Sequence, residues 1–272
     1  MTSESRVLAE VAFACAVERC YAALAAYAAA PENGEPALGG KLLFAGALDE
    51  ASRALVVAGN VAGAATLAAS ADSVVPKQAL HDGVIDFLVN SLDEALRILK
   101  NEVRKRETVA VCVALAPQRV EAEMKERGVA PDLLAGGNSA GRPAGEGSGF
   151  ARKASVIHPI DVGNDEVLVI WNVAAAPLKW LPKLDLPALE CVDREAWEAR
   201  RWLRLAPRFL GRLARGVRVL RCEPNAAGDF VARVELAFLR REIGVPVEVE
   251  VLRRGMSERY RFAPEMTPRC TE

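Results

Sequence analysis

Four polar residues stand just after an apolar run that has the composition of a buried strand. The run is Lys41 to Gly46, and the polar residues are Asp49, Glu50, Ser52 and Arg53. In α/β proteins that bind dinucleotides, the turn after the first strand is rich in glycine, so that backbone N–H groups at the next helix N-terminus can approach the diphosphate. Here the glycines are mostly missing, and two carboxylates would repel a diphosphate over a short distance. These residues therefore predict an anion-binding scaffold that has lost its anion site.

Arg53 allows two interpretations. Its guanidinium could replace the lost backbone donors and bind an anion where ligands bind in open α/β sheets. Alternatively, Arg53 pairs with Asp49 or Glu50, which lie one helical turn before it. The second interpretation is the expected one.

A second set of candidate residues lies in the arginine-rich segment from Arg194 to Arg221, which holds nine arginines and two glutamates. Arg200, Arg204 and Arg208 follow helical spacing and are the candidate ligand-binding residues, and Arg212 and Arg215 continue the same spacing. Arginines with interleaved aromatic residues could bind phosphate or stack on bases. A solvated helix face that pairs with carboxylates of another domain or subunit is the favoured alternative.

Composition restricts the partners. Lys and Arg together number 35 and Asp and Glu 36, which gives a formal net charge of −1. Such a balance produces no long-range field that would attract nucleic acid or an anionic membrane, so neither is an expected partner.

The numbers and spacing of the cysteines and histidines also limit the kinds of site that the chain can form. Six cysteines are scattered without a CxxC pair, which predicts reduced thiols and a cytoplasmic location. His81 and His158 are the only histidines, so the chain has almost no material for a histidine-based metal site or a catalytic triad. Charged residues interrupt the N-terminal apolar segment, and no signal peptide or membrane span is expected there.

Apolar periodicity predicts an α/β fold in the first half of the chain. A helix is expected over 3–30, and apolar runs then alternate with amphipathic segments. The predicted strands are 41–46, 64–69, 84–89, 108–115 and 131–134, and the predicted helices between them are 49–61, 76–82, 91–103 and 117–127. This alternation favours a Rossmann-like parallel sheet flanked by helices.

The second half of the chain has a different pattern. Residues 135–150 are rich in Gly, Ser and Ala and predict a flexible linker between a first domain, 1–134, and a second, 151–272. In the second domain, the predicted strands are 166–173, 217–222, 230–238 and 246–252, and the predicted helix is 193–214. The expected architecture is a smaller α+β unit with antiparallel strands.

Three sequence segments carry a family resemblance. CYAALAAYAAAPENGEPALGGKLLFAGAL leads into the first strand, LDEALRILKNEVRKRETVAV supplies a helix and a strand, and ERGVAPDLL closes the unit. In the order of these segments and in their residues, Cys20 to Pro143 resembles the NAD-binding Rossmann-like insert of urocanase, the urocanate hydratase of histidine breakdown. The resemblance implies an NAD site made by three turns.

The positions that match those turns have diverged. The first turn of the family is a run of glycines, and here it falls on Asp49 to Ala54. The second, a Gly-Asn pair, falls on Leu115 and Ala116. The third, TDQTSAHD, falls on Ala135 to Arg142, where Ser139 and Ala140 are retained. The expected cofactor is therefore none, although the resemblance implies NAD.

The expected function follows from these losses. In urocanase, NAD acts as an electrophile that adds to the imidazole of the substrate. The histidine-containing and glycine-rich motifs of the family's catalytic core have no counterpart here, so the catalytic residues are unknown. The chain is expected to act as an interaction or regulatory protein linked to histidine degradation, with another protein or a second copy of itself as partner. The alternative is an enzyme or binding protein that takes an acidic small molecule or nucleotide in the cleft between its domains.

Overall fold

The chain folds into two compact units, each with its own sheet. The structure is a computed structural model, and it describes residues 3–28, 38–136, 154–254 and 256–264. One unit, here called the parallel-sheet unit, comprises Arg19–Ile160 and Arg208–Arg212. The other, the antiparallel unit, comprises Met1–Glu18, Asp161–Pro207 and Leu213–Glu272. The first helix, α1 (Ser3–Tyr27), contributes residues to both.

The parallel-sheet unit has a six-stranded sheet in the order β3-β4-β2-β1-β5-β6, with all pairs parallel. Its strands are β1 (Leu42–Ala47), β2 (Ala65–Ala69), β3 (Phe87–Val89), β4 (Val109–Val113), β5 (Leu133–Ala135) and β6 (Ser155–Ile157). Its helices are α2 (Glu50–Ala62), α3 (Val75–Asp82), α4 (Leu92–Lys105) and α5 (Pro117–Glu126). The predicted Rossmann-like parallel sheet flanked by helices is confirmed.

Burial explains why these segments form a covered parallel sheet. Every residue of β2 and β4 is buried, as expected for central strands with helices on both faces. On one face, Leu99 of α4 and Met124 of α5 join Leu67 and Val111 in a common core. Ser91 begins α4 by accepting a hydrogen bond from the Glu94 N–H at 3.3 Å.

One strand of this sheet was not predicted. β6 follows the glycine-rich segment and pairs with β5 in parallel. The parallel sheet therefore continues beyond residue 151, where the sequence places the start of the second domain. Residues 137–150 of the predicted linker lie outside the described residues.

The antiparallel unit has a four-stranded sheet in the order β10-β9-β7-β8. Its strands are β7 (Val167–Asn172), β8 (Val217–Cys222), β9 (Val247–Arg253) and β10 (Met256–Phe262), and its helices are α6 (Pro177–Cys191), α7 (Trp197–Leu210) and α8 (Pro224–Leu239). This arrangement confirms the α+β unit with antiparallel strands. Helix α6 and strand β10 were not predicted.

Two predicted elements of this unit are wrong in type or length. Residues 230–238 form part of helix α8 instead of a strand, because Ala227, Phe230 and Val234 bury one face at helical spacing and Pro224 starts the helix. The helix predicted over 193–214 is the shorter α7, which ends at Leu210.

No helix in the described part of the chain combines the length and the apolarity that crossing a bilayer requires.

Candidate functional site

The carboxyl ends of β1 and β5 form the place where a ligand would bind in this type of sheet. From β1 the chain moves to β2 on one side, and β5 lies on the other side of β1. This reversal of strand order opens a crevice beyond the carboxyl ends of the two strands. The turn after β1 and the segment after β5 border it.

The turn after β1 is closed by its own side chains. Gly46 has a φ of 72°, in the left-handed region that favours glycine, and the pairing register with β2 shifts next to it. Asp49 is the N-cap of α2: its Oδ1 accepts the Ser52 N–H at 2.8 Å, and Ser52 Oγ accepts the Asp49 N–H at 2.8 Å. The Ser52 hydroxyl also donates to the Ala47 carbonyl. These residues form a reciprocal capping box at the crevice.

This capping box occupies two of the backbone N–H groups that a phosphate would need. Asp49 places a carboxylate on a backbone N–H of the first turn of α2, and Glu50 adds a second negative charge in the same turn. Two like charges about 4 Å apart near a protein surface repel by about 4 kcal/mol. A single hydrogen bond contributes only about 1 kcal/mol. The residues of this turn therefore do not fit a diphosphate.

The next two helices begin in a similar way. Asp72 Oδ1 accepts the N–H groups of Val74 and Val75, at 2.6 and 3.0 Å, at the start of α3. Hydrogen bonds from Val75 and then Val74 lower the pKa of Asp72. At the start of α4, Glu94 Oε2 accepts the Asn90 N–H at 3.2 Å. Carboxylates of the chain itself thus bind backbone donors after β1, β2 and β3.

Removing the Asp49 cap is expected to destabilise the protein modestly. Asp49→Ala leaves the Ser52 N–H without its side-chain acceptor and should lower the free energy of unfolding by about 1 kcal/mol. Asp49→Asn removes the charge but keeps a good capping oxygen, so it should retain most of that stability. Urea denaturation of the two variants measures the difference. Equal losses in both variants would show that the cap is not what Asp49 contributes.

Arg53 does not pair with Asp49 or Glu50, and the expected pairing is wrong. Its Nη2 donates to Asp82 Oδ2 at 2.5 Å, at the end of α3. Asp49 is already engaged by the cap, and the Asp82 side chain is only 13% exposed. Gln78 donates to the same carboxylate at 2.8 Å, and His81 Nδ1 lies 3.4 Å from it. Arg53 therefore joins α2 to α3.

The Asp82 carboxylate gives this contact a pH dependence. Burial alone would raise the pKa of Asp82, but hydrogen bonds from Gln78, Arg53 and His81 outweigh it and hold the pKa below its ordinary value of 3.8. A carboxyl with a lower pKa in the folded chain adds stability above its unfolded pKa, and this stability is lost as the pH falls through the folded pKa.

Asp82→Asn should therefore lower the free energy of unfolding near neutral pH, and variant and wild type should converge below about pH 4. Urea denaturation from about pH 6 downwards measures this convergence. If the difference in free energy of unfolding between wild type and variant stays constant over that range, the pH dependence does not come from Asp82.

Of the other two predicted cofactor turns, the structure describes the one that follows β4. Leu115 and Ala116 follow β4, and Ala116 is the N-cap of α5 without a side-chain hydrogen bond. Ser139, with Asn138 and Ala140, lies outside the described residues.

His158 is a residue of this crevice that the sequence did not indicate. It follows β6, and a Cβ at Gly136, just after β5, would lie 2.6 Å from its ring atoms Nδ1 and Cε1. Glycine permits this close approach because it has no side chain. Only the unpredicted pairing of β6 with β5 brings the two residues together.

The three candidate arginines of α7 have different environments. Arg200 Nη1 donates to the carbonyls of Leu189 and Val192, both at 3.1 Å, and so binds the last turn of α6. Arg204 Nε donates to the Arg200 carbonyl at 3.3 Å. The guanidinium of Arg208 lies 5.3 Å from the Phe209 ring centre. The Arg200 side chain therefore has a structural role, since it joins α7 to the end of α6.

The two arginines that continue the spacing lie beyond the end of α7. Arg212 Nη1 donates to the His81 carbonyl at 2.8 Å, and Arg215 is exposed. The helical spacing of the five arginines therefore corresponds to helix only as far as Arg208.

The thiols and acidic residues do not add a reactive centre. Burial raises the pKa of Cys112, on the central strand β4, to about 12, so this thiol stays protonated. Within the described ranges, no group of three or more His, Cys, Asp or Glu residues is arranged to hold a metal ion.

The family comparison agrees with this fold. Residues 17–149 match the family model of the urocanase Rossmann-like domain, which covers just under half of the chain. The match includes β1 to β5, the helices between them and the Asp49 cap. The resemblance predicted over Cys20 to Pro143 is confirmed.

Proposed function

We propose that this urocanase-related protein does not use NAD, does not hydrate urocanate, and acts as an interaction or regulatory protein. The observation that carries the proposal is the Asp49 carboxylate, which caps α2 at the carboxyl end of β1. A Rossmann-like site binds the diphosphate of NAD with free N–H groups at this helix N-terminus. Here a side chain of the protein holds that position.

Displacing Asp49 would not restore the site at a low cost. The cap contributes about 1 kcal/mol, and the displaced carboxylate would remain beside the ligand with Glu50 in the same turn. No residue of the turn supplies a compensating cation, since Arg53 is bound to Asp82. The turn therefore favours its own carboxylate over an external diphosphate.

The family suggests the setting in which such a protein works. A Rossmann-like unit that keeps its core while its cofactor turns diverge can serve as a binding module. The proposed role is regulation of, or attachment to, the enzymes of histidine degradation, with another protein or a second copy of the chain as partner.

Mass spectrometry of the purified full chain tests the first part of the proposal. Denatured protein should release no stoichiometric NAD, and the folded protein with added NAD should not turn over urocanate. An active urocanase prepared in parallel should release NAD and turn over urocanate. One NAD per chain, or turnover above the rate without protein, would refute the proposal. Co-purification with tagged enzymes of histidine degradation tests the proposed setting.

A further inference from the structure

The outer face of α4 carries a row of three cations. Leu92, Ala95, Leu96 and Leu99 are buried on the inner face of this helix. Arg97, Lys100 and Arg104 are exposed, and their spacing of three and four residues makes them neighbours along one side. This row is called the α4 cationic row below.

The acidic residues near the row are bound to other cations. Asp93 lies one turn before Arg97, but its carboxylate accepts hydrogen bonds from Arg127. Glu102 accepts from Lys105 at 3.2 Å and from the Asn101 amide at 2.7 Å. Among the residues that the structure describes, no carboxylate lies within ion-pair distance of Arg97, Lys100 or Arg104. The positive charge of the row is therefore uncompensated.

The row lines two adjoining surface cavities. The larger, about 690 Å³, is lined by Phe87, Arg97, Ile98, Lys100, Asn101, Glu102 and Arg104. The smaller, about 480 Å³, shares Arg97 and Lys100 and extends to Arg127. The larger cavity has the volume of a typical small-molecule site. It combines an exposed aromatic ring, Phe87, with three cations, an amide and one carboxylate, Glu102, which is paired with Lys105.

These cavities are separate from the crevice at the carboxyl ends of the strands. Phe87 is the first residue of β3, and the row runs from the middle of α4 to its last turn. Just past the end of α4, Arg106 approaches Gly40, which precedes β1: a Cβ at Gly40 would lie 3.6 Å from Arg106 Cγ. The row therefore lies towards the amino ends of the strands.

We propose that the larger cavity binds a mononucleotide, with its phosphates on the α4 cationic row and its base against Phe87. Arginine and lysine bind phosphate through charge-assisted hydrogen bonds. An aromatic ring stacks on any base, because every base has a flat π-face. The Asn101 amide supplies a further polar group at the same cavity. The proposal rests neither on Asp49 nor on the absence of NAD from the crevice.

Titration calorimetry of the full chain with ADP tests this site. ADP should bind with a dissociation constant below about 1 mM at low salt and more weakly in about 0.2 M salt. Arg97→Gln/Lys100→Gln should weaken binding at least about tenfold, because two charge-assisted contacts are lost. Phe87→Ala should weaken ADP binding but leave that of inorganic pyrophosphate unchanged.

A matched control removes two cations elsewhere in the same unit. Arg119 and Lys125 lie on α5 and pair with Glu123 and Glu121, at 2.9 and 2.8 Å. Arg119→Gln/Lys125→Gln should keep ADP affinity within about twofold.

Four results would overturn the proposal: no ADP binding by the wild type, equal weakening in the control variant, unchanged affinity in Arg97→Gln/Lys100→Gln, or tighter binding of a short single-stranded RNA than of ADP. The third result would place the nucleotide elsewhere, and the fourth would indicate an RNA surface.

Discussion

Replacing Arg221 with methionine is expected to lower the free energy of unfolding by about 3 to 5 kcal/mol, because it removes a cation that binds both oxygens of the buried Glu18 carboxylate. The Glu18 side chain is 3% exposed, and Arg221 binds both of its oxygens, through Nε at 2.7 Å and Nη2 at 3.0 Å. The same guanidinium donates to the Asp161 carbonyl at 3.0 Å and to Glu166 at 3.2 Å. One side chain thus joins α1, β8 and the segment before β7.

Urea denaturation with a matched control measures this effect. Arg233 also pairs with a glutamate, Glu190, at 2.6 Å, but both side chains are about half exposed or more. Arg233→Met should therefore cost less than about 1 kcal/mol. The double variant Glu18→Leu/Arg221→Met should recover much of the loss, because it removes the buried carboxylate together with the cation that binds it. Similar losses for Arg221→Met and Arg233→Met would contradict the role of burial.

Gly59→Ala is expected to lower the free energy of unfolding by about 1 to 3 kcal/mol, because α2 packs closely on the sheet at this residue. An added Cβ would lie 2.7 Å from Thr66 Oγ1 and 3.0 Å from Leu43 Cδ2. Both neighbours are fully buried and belong to β2 and β1, so neither can easily move aside. Alanine is favoured over glycine in helices by up to about 1 kcal/mol, and the close contacts are expected to outweigh that gain.

A glycine of α8 provides a control of opposite sign. A Cβ at Gly228 would meet no atom within 4 Å, so Gly228→Ala should raise the free energy of unfolding by about 0.5 to 1 kcal/mol. Adding Thr66→Ala to Gly59→Ala removes the closest atom and should restore part of the stability. Denaturation curves for these variants test the packing, and a stabilised Gly59→Ala protein would contradict it.

The parallel sheet could be predicted from sequence because its signals are local. β2 and β4 are short runs of buried apolar residues, and α2 and α4 begin at Asp49 and Ser91, which have capping side chains. Alternation of such segments leaves few topologies open. β6 has only three residues and follows a long glycine-rich segment, so its place in the sheet depends on a distant partner strand.

The errors in the second half come from ambiguous periodicity. Residues 230–238 alternate only around Arg233 and Glu235, which is enough to resemble a strand, yet three of the apolar side chains in α8 also recur at helical spacing. Helix α6 was missed because Pro182 and Pro187 lie inside it, and internal proline argues against a helix. Packing in the antiparallel unit overrides these local signals.

The candidate site could be predicted in part. The carboxylates after β1 were evident from the sequence, and the structure places Asp49 at the N-terminus of α2 as its cap. The partner of Arg53 was not predictable from helical spacing, because Asp82 lies 29 residues further along the chain. The place of His158 beside Gly136 likewise depends on the pairing of two strands.

Calorimetric titration of the full chain with NAD tests most directly whether Asp49 closes the nucleotide crevice. In the Arg97→Gln/Lys100→Gln background, which removes binding at the α4 cationic row, the protein should show no saturable binding of NAD up to about 1 mM, corresponding to less than about 4 kcal/mol of binding free energy. Asp49→Asn is the matched variant, because it keeps the capping hydrogen bond and removes the charge. It therefore separates charge repulsion of the diphosphate from occupation of the backbone N–H group. Saturation of that background at one NAD per chain, with a dissociation constant in the micromolar range, would contradict the closure of the crevice by Asp49.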